Sequence, residues 1–173
     1  MRTCLCLIFC LCFLATSHTT HAQTCNANMP ITTPDSQLTD NGNGTITDTK
    51  TGLMWKKCVE GVTGNLCDTG AAAAFTWQTA LQQPGVVNGS GFATYQDWRL
   101  PNIKELTSIV EEQCYGPSIN LNRFPNTPVS VVWSGSPDAN YSDYAWFVNF
   151  HDGYSYYYNR NVSVQMRLVR SGQ

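Results

Sequence analysis

Charge is scarce in this chain and histidine scarcer, and each shortage removes a class of function. Asp, Glu, Lys and Arg together make up 13% of the 173 residues, against about 25% in an ordinary globular domain. No basic block is longer than Lys56-Lys57, so the clustered cations that neutralise nucleic-acid phosphates are missing and nucleic acid is excluded as a partner. His18 and His21 fall in the first residues, which leaves His151, beside Asp152, as the one candidate base further on. No G-x-S-x-G elbow accompanies it, and Asn88-Gly89-Ser90-Gly91 does not qualify, so a hydrolase triad has no nucleophile. Glycine-rich phosphate loops of the Walker or dinucleotide type are absent as well. The longest N-terminal apolar run, Leu5 to Ala15, falls well short of the roughly 20 residues of a membrane span.

That run follows a short basic start, Met1-Arg2-Thr3, and precedes Thr20-His21-Ala22, the pattern of an export signal cleaved after residue 22. Cys4, Cys6, Cys10 and Cys12 leave with it, so their C-x-C spacing is no metal motif. The remaining chain suits one domain and has no transmembrane span; it carries nine Lys plus Arg against twelve Asp plus Glu. Secretion, the periplasm or the cell surface is the expected destination. Four cysteines stay behind, Cys25, Cys58, Cys67 and Cys114. An even number in an exported chain reads as disulfides, and of the three ways to pair four, Cys58 with Cys67 and Cys25 with Cys114 are chosen here. The first closes a short Gly-containing loop; the second pins the N-terminal arm. The spacings do not suit zinc, and with His151 alone no ligand set forms.

Residues 23–38, with Pro30 and Pro34, read as an extended arm, and the domain is expected over 39–173. Asp40-Asn41-Gly42-Asn43-Gly44 is a dense turn signal before a short strand, Thr45-Ile46-Thr47, and Leu53-Met54-Trp55 follows after a second turn. Asp40, Asn43 and Asp48 set oxygen donors around glycines, which makes calcium a possible ligand, although the D-x-[DN]-x-[DN]-G spacing is not met; no other cofactor is expected. Thr76 caps a helix of about two turns ending at Pro84-Gly85. A second begins at Asn102, where Glu105 completes a capping box and Ile103, Leu106, Ile109 and Val110 form an apolar stripe, with Lys104, Thr107, Ser108 and Glu111 facing solvent. Glu111 and Glu112 diverge as successive helical side chains, so they make no acid and base pair.

From Tyr141 to Tyr158 half of the residues are aromatic. Asp152-Gly153 is the preferred pair for a two-residue hairpin, which sets His151 opposite Tyr154, Asn149 opposite Tyr156 and Phe147 opposite Tyr158. Alternation then puts Trp146, Val148 and Phe150 with Ser155, Tyr157 and Asn159 on one face, assigned to the core. The other face carries Phe147, Asn149 and His151 with Tyr154, Tyr156 and Tyr158, and the loop Ser136 to Asp143 brings Asp138, Asn140 and Asp143 to its edge. Such density suits the cross-strand aromatic pairs of a half-buried sheet; it also suits sugars, whose C–H faces lie on aromatic rings and whose hydroxyls meet amide, carboxylate and phenol oxygens, so this face is the candidate ligand site.

Seven strings occur in order: D-N-G-N-G-T-I-T-D from Asp40 with T-G-L-M-W to Trp55, T-W-Q-x-A-L from Thr76, D-W-R-L-P-N-I-K-E-L from Asp97, F-P-N-T from Phe124, W-S-G-S from Trp133, Y-A-W-F-V-N-F-x-x-G from Tyr144 and R-L-V-R from Arg167. Through them the chain resembles the Lcl C-terminal domain family, the domain that ends the Legionella collagen-like adhesin. The resemblance implies an α+β, C-type-lectin-like and formylglycine-generating-enzyme-like fold, with two short helices flanking a twisted, mostly antiparallel sheet in a loop-rich chain. It also implies an adhesin-like binding module for glycans or surface polymers rather than an enzyme. Affinity for sulfated polysaccharide, implied likewise, meets a net negative charge, so it would draw on Arg160, Arg167 and Arg170. Where family members often tie helix to closing strand with two cysteines, this chain has the neighbourhood of Pro84 and Leu168, and no collagen-like stalk accompanies the domain. No cysteine follows Cys114, so the oxidase chemistry of formylglycine-generating enzymes lacks its thiols. An enzyme of unrecognised type on that fold, or a protein-binding domain of the cell envelope, is the alternative.

Overall fold

The structure, a computed structural model, describes residues 22–172. The expected leader, apart from Ala22, lies outside the described residues. In chain order the elements are β1 (Thr24–Cys25), β2 (Leu38–Asp40), β3 (Thr45–Asp48), β4 (Leu53–Lys56), β5 (Val62–Thr63), β6 (Thr69–Gly70), α1 (Trp77–Ser90), α2 (Ile103–Thr107), β7 (Cys114–Tyr115), β8 (Val131–Pro137), β9 (Tyr144–Asn149), β10 (Ser155–Asn159) and β11 (Val169–Ser171). This is an α+β architecture of two helices, antiparallel sheets and much loop. One sheet has the order β11-β4-β3-β2 and another β10-β9-β8, while β1 pairs with β7 and β5 with β6. No helix among the described residues is long and apolar enough to cross a membrane.

The inner strands of both larger sheets send successive residues into two separate cores, since alternate side chains point to opposite faces. Val132, Val148 and Phe150 join Leu38, Ile46, Trp55, Leu106, Ile109 and Val169 in one core. Their strand neighbours Trp133, Ala145 and Phe147 join Met54, Ala80, Val87, Trp98, Met166 and Leu168 in a second. Leu168 therefore packs apolar against apolar in the closing stretch, where family members often carry a cysteine.

The helices depart from expectation in opposite senses. α1 runs to Ser90 with Pro84 inside it, and ends on Gly91 at φ 69°, a left-handed cap that glycine adopts without strain. Pro84 lacks only its own N–H; beyond it Val87 is buried, and the Asn88 amide exchanges hydrogen bonds of 2.8 and 2.9 Å with the Trp98 backbone. Packing and those two bonds carry the helix past its breaker. α2 is shorter than its apolar stripe. The capping box forms as read, with Asn102 Oδ1 accepting from Glu105 N and Glu105 Oε2 from Asn102 N. The helix stops at Thr107 because Thr107 Oγ1 donates to Ile103 O and Ser108 Oγ to Glu105 O, so hydroxyls satisfy its last turn. Ile109 and Val110 are buried beyond its end, Val110 in a bridge with Ile119.

Both expected disulfides are present, Cys25–Cys114 and Cys58–Cys67. The first ties β1 to β7, and the arm it anchors is packed, with Thr33 and Leu38 buried. Glu111, expected to face solvent, is buried and holds that arm. Its carboxylate accepts from the amides of Thr32, Thr33 and Gln113 at 3.0, 2.8 and 3.1 Å and from the Thr33 hydroxyl at 2.9 Å. Burial works to raise the Glu111 carboxyl, but these donors outweigh it and leave it below the ordinary glutamate value.

Candidate binding surface on the last hairpin

The β9–β10 hairpin is closed by a longer loop than Asp152-Gly153 alone would make. Tyr156 stands opposite Phe147 and Tyr158 opposite Ala145, two residues from the expected register, and Asn149 N donates to Tyr154 O at the loop's base. Phe150 is drawn fully into the core, so the loop spans Phe150 to Gly153. Asn149 O accepts from the amides of both Asp152 and Gly153, Asn149 Oδ1 from His151 N, and Asp152 Oδ1 from Tyr154 N. Gly153 is at φ 80°, where an added Cβ would lie 2.7 Å from Val110 Cγ1, so its place fixes the loop against the core.

A shift of two preserves which side chains share a face. Tyr154, Tyr156 and Tyr158 do lie with Phe147 and Asn149, as read from alternation. The assignment of one face to the core and the other to solvent is the part that fails. β9, in the middle, is buried on both faces, whereas β10, at the sheet's edge, is open on both. Tyr154 is 65% exposed and Tyr156, Tyr157 and Tyr158 are 48, 45 and 48% exposed. On the face assigned to the core, Tyr157 therefore sits in an aromatic cluster with Tyr141, Tyr144 and Trp146, at ring distances of 5.5 to 5.8 Å. On the other, Phe147 underlies Tyr156 and Tyr158 at 6.0 Å each, and Tyr154 follows Tyr156 at 6.3 Å.

The remaining candidates divide between the ends of the hairpin. Asn149 is half-buried beside the ladder, and His151 is exposed in the loop near Tyr115. Asp138, Asn140 and Asp143 belong to the β8–β9 connection at the far end, roughly 14 Å away at about 3.4 Å per residue along β10. Asp138 is buried, and its Oδ1 accepts from the amides of Asn140 and Tyr141, so it shapes the loop. Asp143 is exposed and lines a cavity of ≈ 300 Å³ with Trp77, Ser142 and Arg160.

Of the three arginines only Arg160 flanks the aromatic strands openly: its guanidinium lies 4.3 Å over the Trp77 ring and Nε donates to Tyr144 O. Arg167 is 1% exposed, donates to Lys56 O, Lys57 O and Thr127 Oγ1, and stacks on Phe124. Burial pushes it down to about 9, with Glu60 acting in the opposite direction, so it is charged at neutral pH. Arg170 is buried between Asp97 and the Tyr95 ring. Neither reaches an outside anion.

The oxygens weighed for calcium are likewise engaged by the protein. Asp40 accepts from Gly42 N and from Lys57 Nζ at 2.5 Å, Asn43 Oδ1 from the Thr45 hydroxyl, and buried Asp48 from Gln37, Lys50 N and Thr51. Burial works to raise the Asp40 carboxyl, but Lys57 and the Gly42 amide hold it below the usual range. Among the described residues no group of three or more His, Cys, Asp or Glu side chains is placed to hold a metal ion. The cavity of ≈ 420 Å³ beneath the arm holds Glu111, whose oxygens already serve Thr32 and Thr33.

These features define a disulfide-bridged α+β domain that buries several of its charges and whose open edge is aromatic. Residues 44–170 match the Lcl C-terminal domain, and the chain belongs to that family, which is associated with a bacterial adhesin. No curated protein matches the chain. The two bridges fit an oxidising, extracytoplasmic compartment.

Proposed function

We propose that this domain is a secreted or cell-surface binding module, without catalytic activity, that takes glycans or surface polymers on the β10 edge of a lectin-like fold. The supporting observation is the row Tyr154, Tyr156 and Tyr158, standing exposed over Phe147 with the Asn149 amide at one end. A monomeric domain rarely leaves so many aromatic rings in water without a partner for them. Flat rings with phenol oxygens at their tips match the alternation of C–H faces and hydroxyls along a sugar chain. Asn140 and Asp143 would contact the polymer's far end, Asn149 and His151 the near end, with Asp138 holding the loop from behind. Cations contribute through Arg160 alone, so a neutral polymer fits this surface better than a densely sulfated one.

Purified, disulfide-bonded protein tested on a panel of immobilised glycans, with Tyr156→Ala alongside, checks the reading. The expected result is retention on one glycan class, weakened about tenfold or more by the substitution, as for a central aromatic contact. Wild-type protein that is retained by no glycan, or a variant that binds as wild type does, would overturn it.

A further inference from the structure

Sheet edges attract strands, and three of the four edges of the two larger sheets are closed or blunted. Outside β8, Trp133 N donates to Gln165 O and Gly135 N to Pro101 O. Outside β11, Arg99 and Val169 exchange backbone hydrogen bonds. β2 is three residues long and ends in Asp40, which is tied to Lys57. β10 is different. It pairs with β9 on one side, and its sequence, Ser155-Tyr156-Tyr157-Tyr158-Asn159, has no charge and no proline to guard the other. Because Tyr154 O accepts from Asn149 N, alternation turns the backbone groups of Tyr156 and Tyr158 toward β9 and those of Ser155, Tyr157 and Asn159 outward. Among the described residues, the outward N–H and C=O of Ser155 and Tyr157 have no partner.

We propose that a second copy of this chain docks here, the two β10 strands running antiparallel about a twofold axis through Tyr157. The outward groups fall at 155, 157 and 159, symmetrically about that axis. Each Tyr157 then donates to and accepts from its counterpart, and each Ser155 O accepts from the partner's Asn159 N, the Asn159 carbonyl being engaged by Val162 N within its own chain. The side chains read the same in either direction, so large meets large and small meets small. Tyr156 lies beside the partner's Tyr158 twice over on one face, and the two Tyr157 rings meet on the other. No charge within the strand repels its own image. The four tyrosines brought together by the two Tyr156–Tyr158 pairs are each 48% exposed in a single copy, which is the apolar area that pairing withdraws from water. The result is one six-stranded sheet. It rests on the unpaired strand edge and not on the glycan reading, and it covers part of the same Tyr156 and Tyr158 rings.

Sedimentation of the disulfide-bonded protein, without any glycan, provides the test. A concentration-dependent dimer is expected, with amides of Ser155 and Tyr157 protected from hydrogen exchange in the dimer and unprotected on dilution. Tyr157→Lys sets two like charges facing each other at the axis and should raise the dissociation constant about tenfold or more. Tyr157→Pro removes the outward N–H while sparing the β9 ladder, and should do the same. Far-UV circular dichroism establishes that each variant is folded; for an unfolded one, exchange at Ser155 and Tyr157 in the wild type decides. A wild type that is monomeric up to its solubility limit overturns the inference. So does a dimer undiminished by both substitutions in folded protein, or one whose Ser155 and Tyr157 amides exchange as fast as the monomer's.

Discussion

The four-stranded sheet and the β10 edge use polar groups in opposite ways. In and around the first, Asp48, Lys57, Glu60, Arg167 and Arg170 are buried with partners chosen for each: Lys57 with Asp40, Glu60 with Lys56, Arg170 with Asp97, Arg167 with two carbonyls and a threonine. Along β10, backbone groups and phenols face water, and no charge lies in the strand. A chain that is 13% charged thus buries part of that charge beside specific partners and leaves aromatic rings at its open edge. Internal pairing marks the scaffold, with Trp55 Nε1 and Arg167 Nε as buried exceptions, and availability marks the surface.

Arg167 is the severest test of that division. Arg167→Ala would leave the carbonyls of Lys56 and Lys57 and the Thr127 hydroxyl without their donor in a sealed site and open a cavity over Phe124. A loss of about 3–5 kcal/mol is expected, read as a fall in the urea midpoint. A loss below about 1 kcal/mol would mean that water or a neighbour replaces the guanidinium, and that internal pairing is dispensable here.

Glu111 comes next, and pH reaches it without mutation. Its folded-state carboxyl is held below its ordinary value by the Thr32, Thr33 and Gln113 donors against the effect of burial. Its contribution to stability is therefore fully present above the ordinary value of about 4.3, fades as pH falls below that, and is gone once pH has passed the lowered native value. Glu111→Gln should cost about 1–3 kcal/mol at neutral pH and remove that part of the acid dependence. Urea midpoints of both proteins between neutral and acid pH decide; parallel curves would take the arm's hold away from Glu111.

Local chemistry was the legible part of this molecule. The capping box lies within four residues, and an even count of cysteines behind an export-like leader points to two bridges, while the pairing itself is one choice among three. What was not legible depended on distant partners. α1 passes Pro84 on account of Trp98, ten residues beyond Asn88; Glu111 is buried because Thr32 and Thr33, far back in the chain, fold over it. The tyrosine face was sorted correctly because faces survive a shift of two, yet alternation has no means of saying which strand ends a sheet. That is why alternation alone places Tyr157 inside, although it is 45% exposed on the edge strand.

Asn102 and Tyr156 carry the comparison to its smaller effects. Asn102→Ala removes the acceptor for Glu105 N and should cost about 1 kcal/mol, with glycan binding unchanged once stability is matched. Glu105 keeps its two contacts with Arg99, at 2.6 and 2.7 Å, which limits the damage to the cap itself. Tyr156→Ala reverses the pattern. Its ring is about half in water and touches Phe147 and Tyr154 only from the open side of the sheet. The denaturation midpoint of the monomeric protein should then move by no more than about 0.5 kcal/mol, while retention on glycan falls. A Tyr156→Ala protein that loses as much stability as Arg167→Ala would place the ladder in the scaffold, and the distinction between paired interior and available edge would not hold.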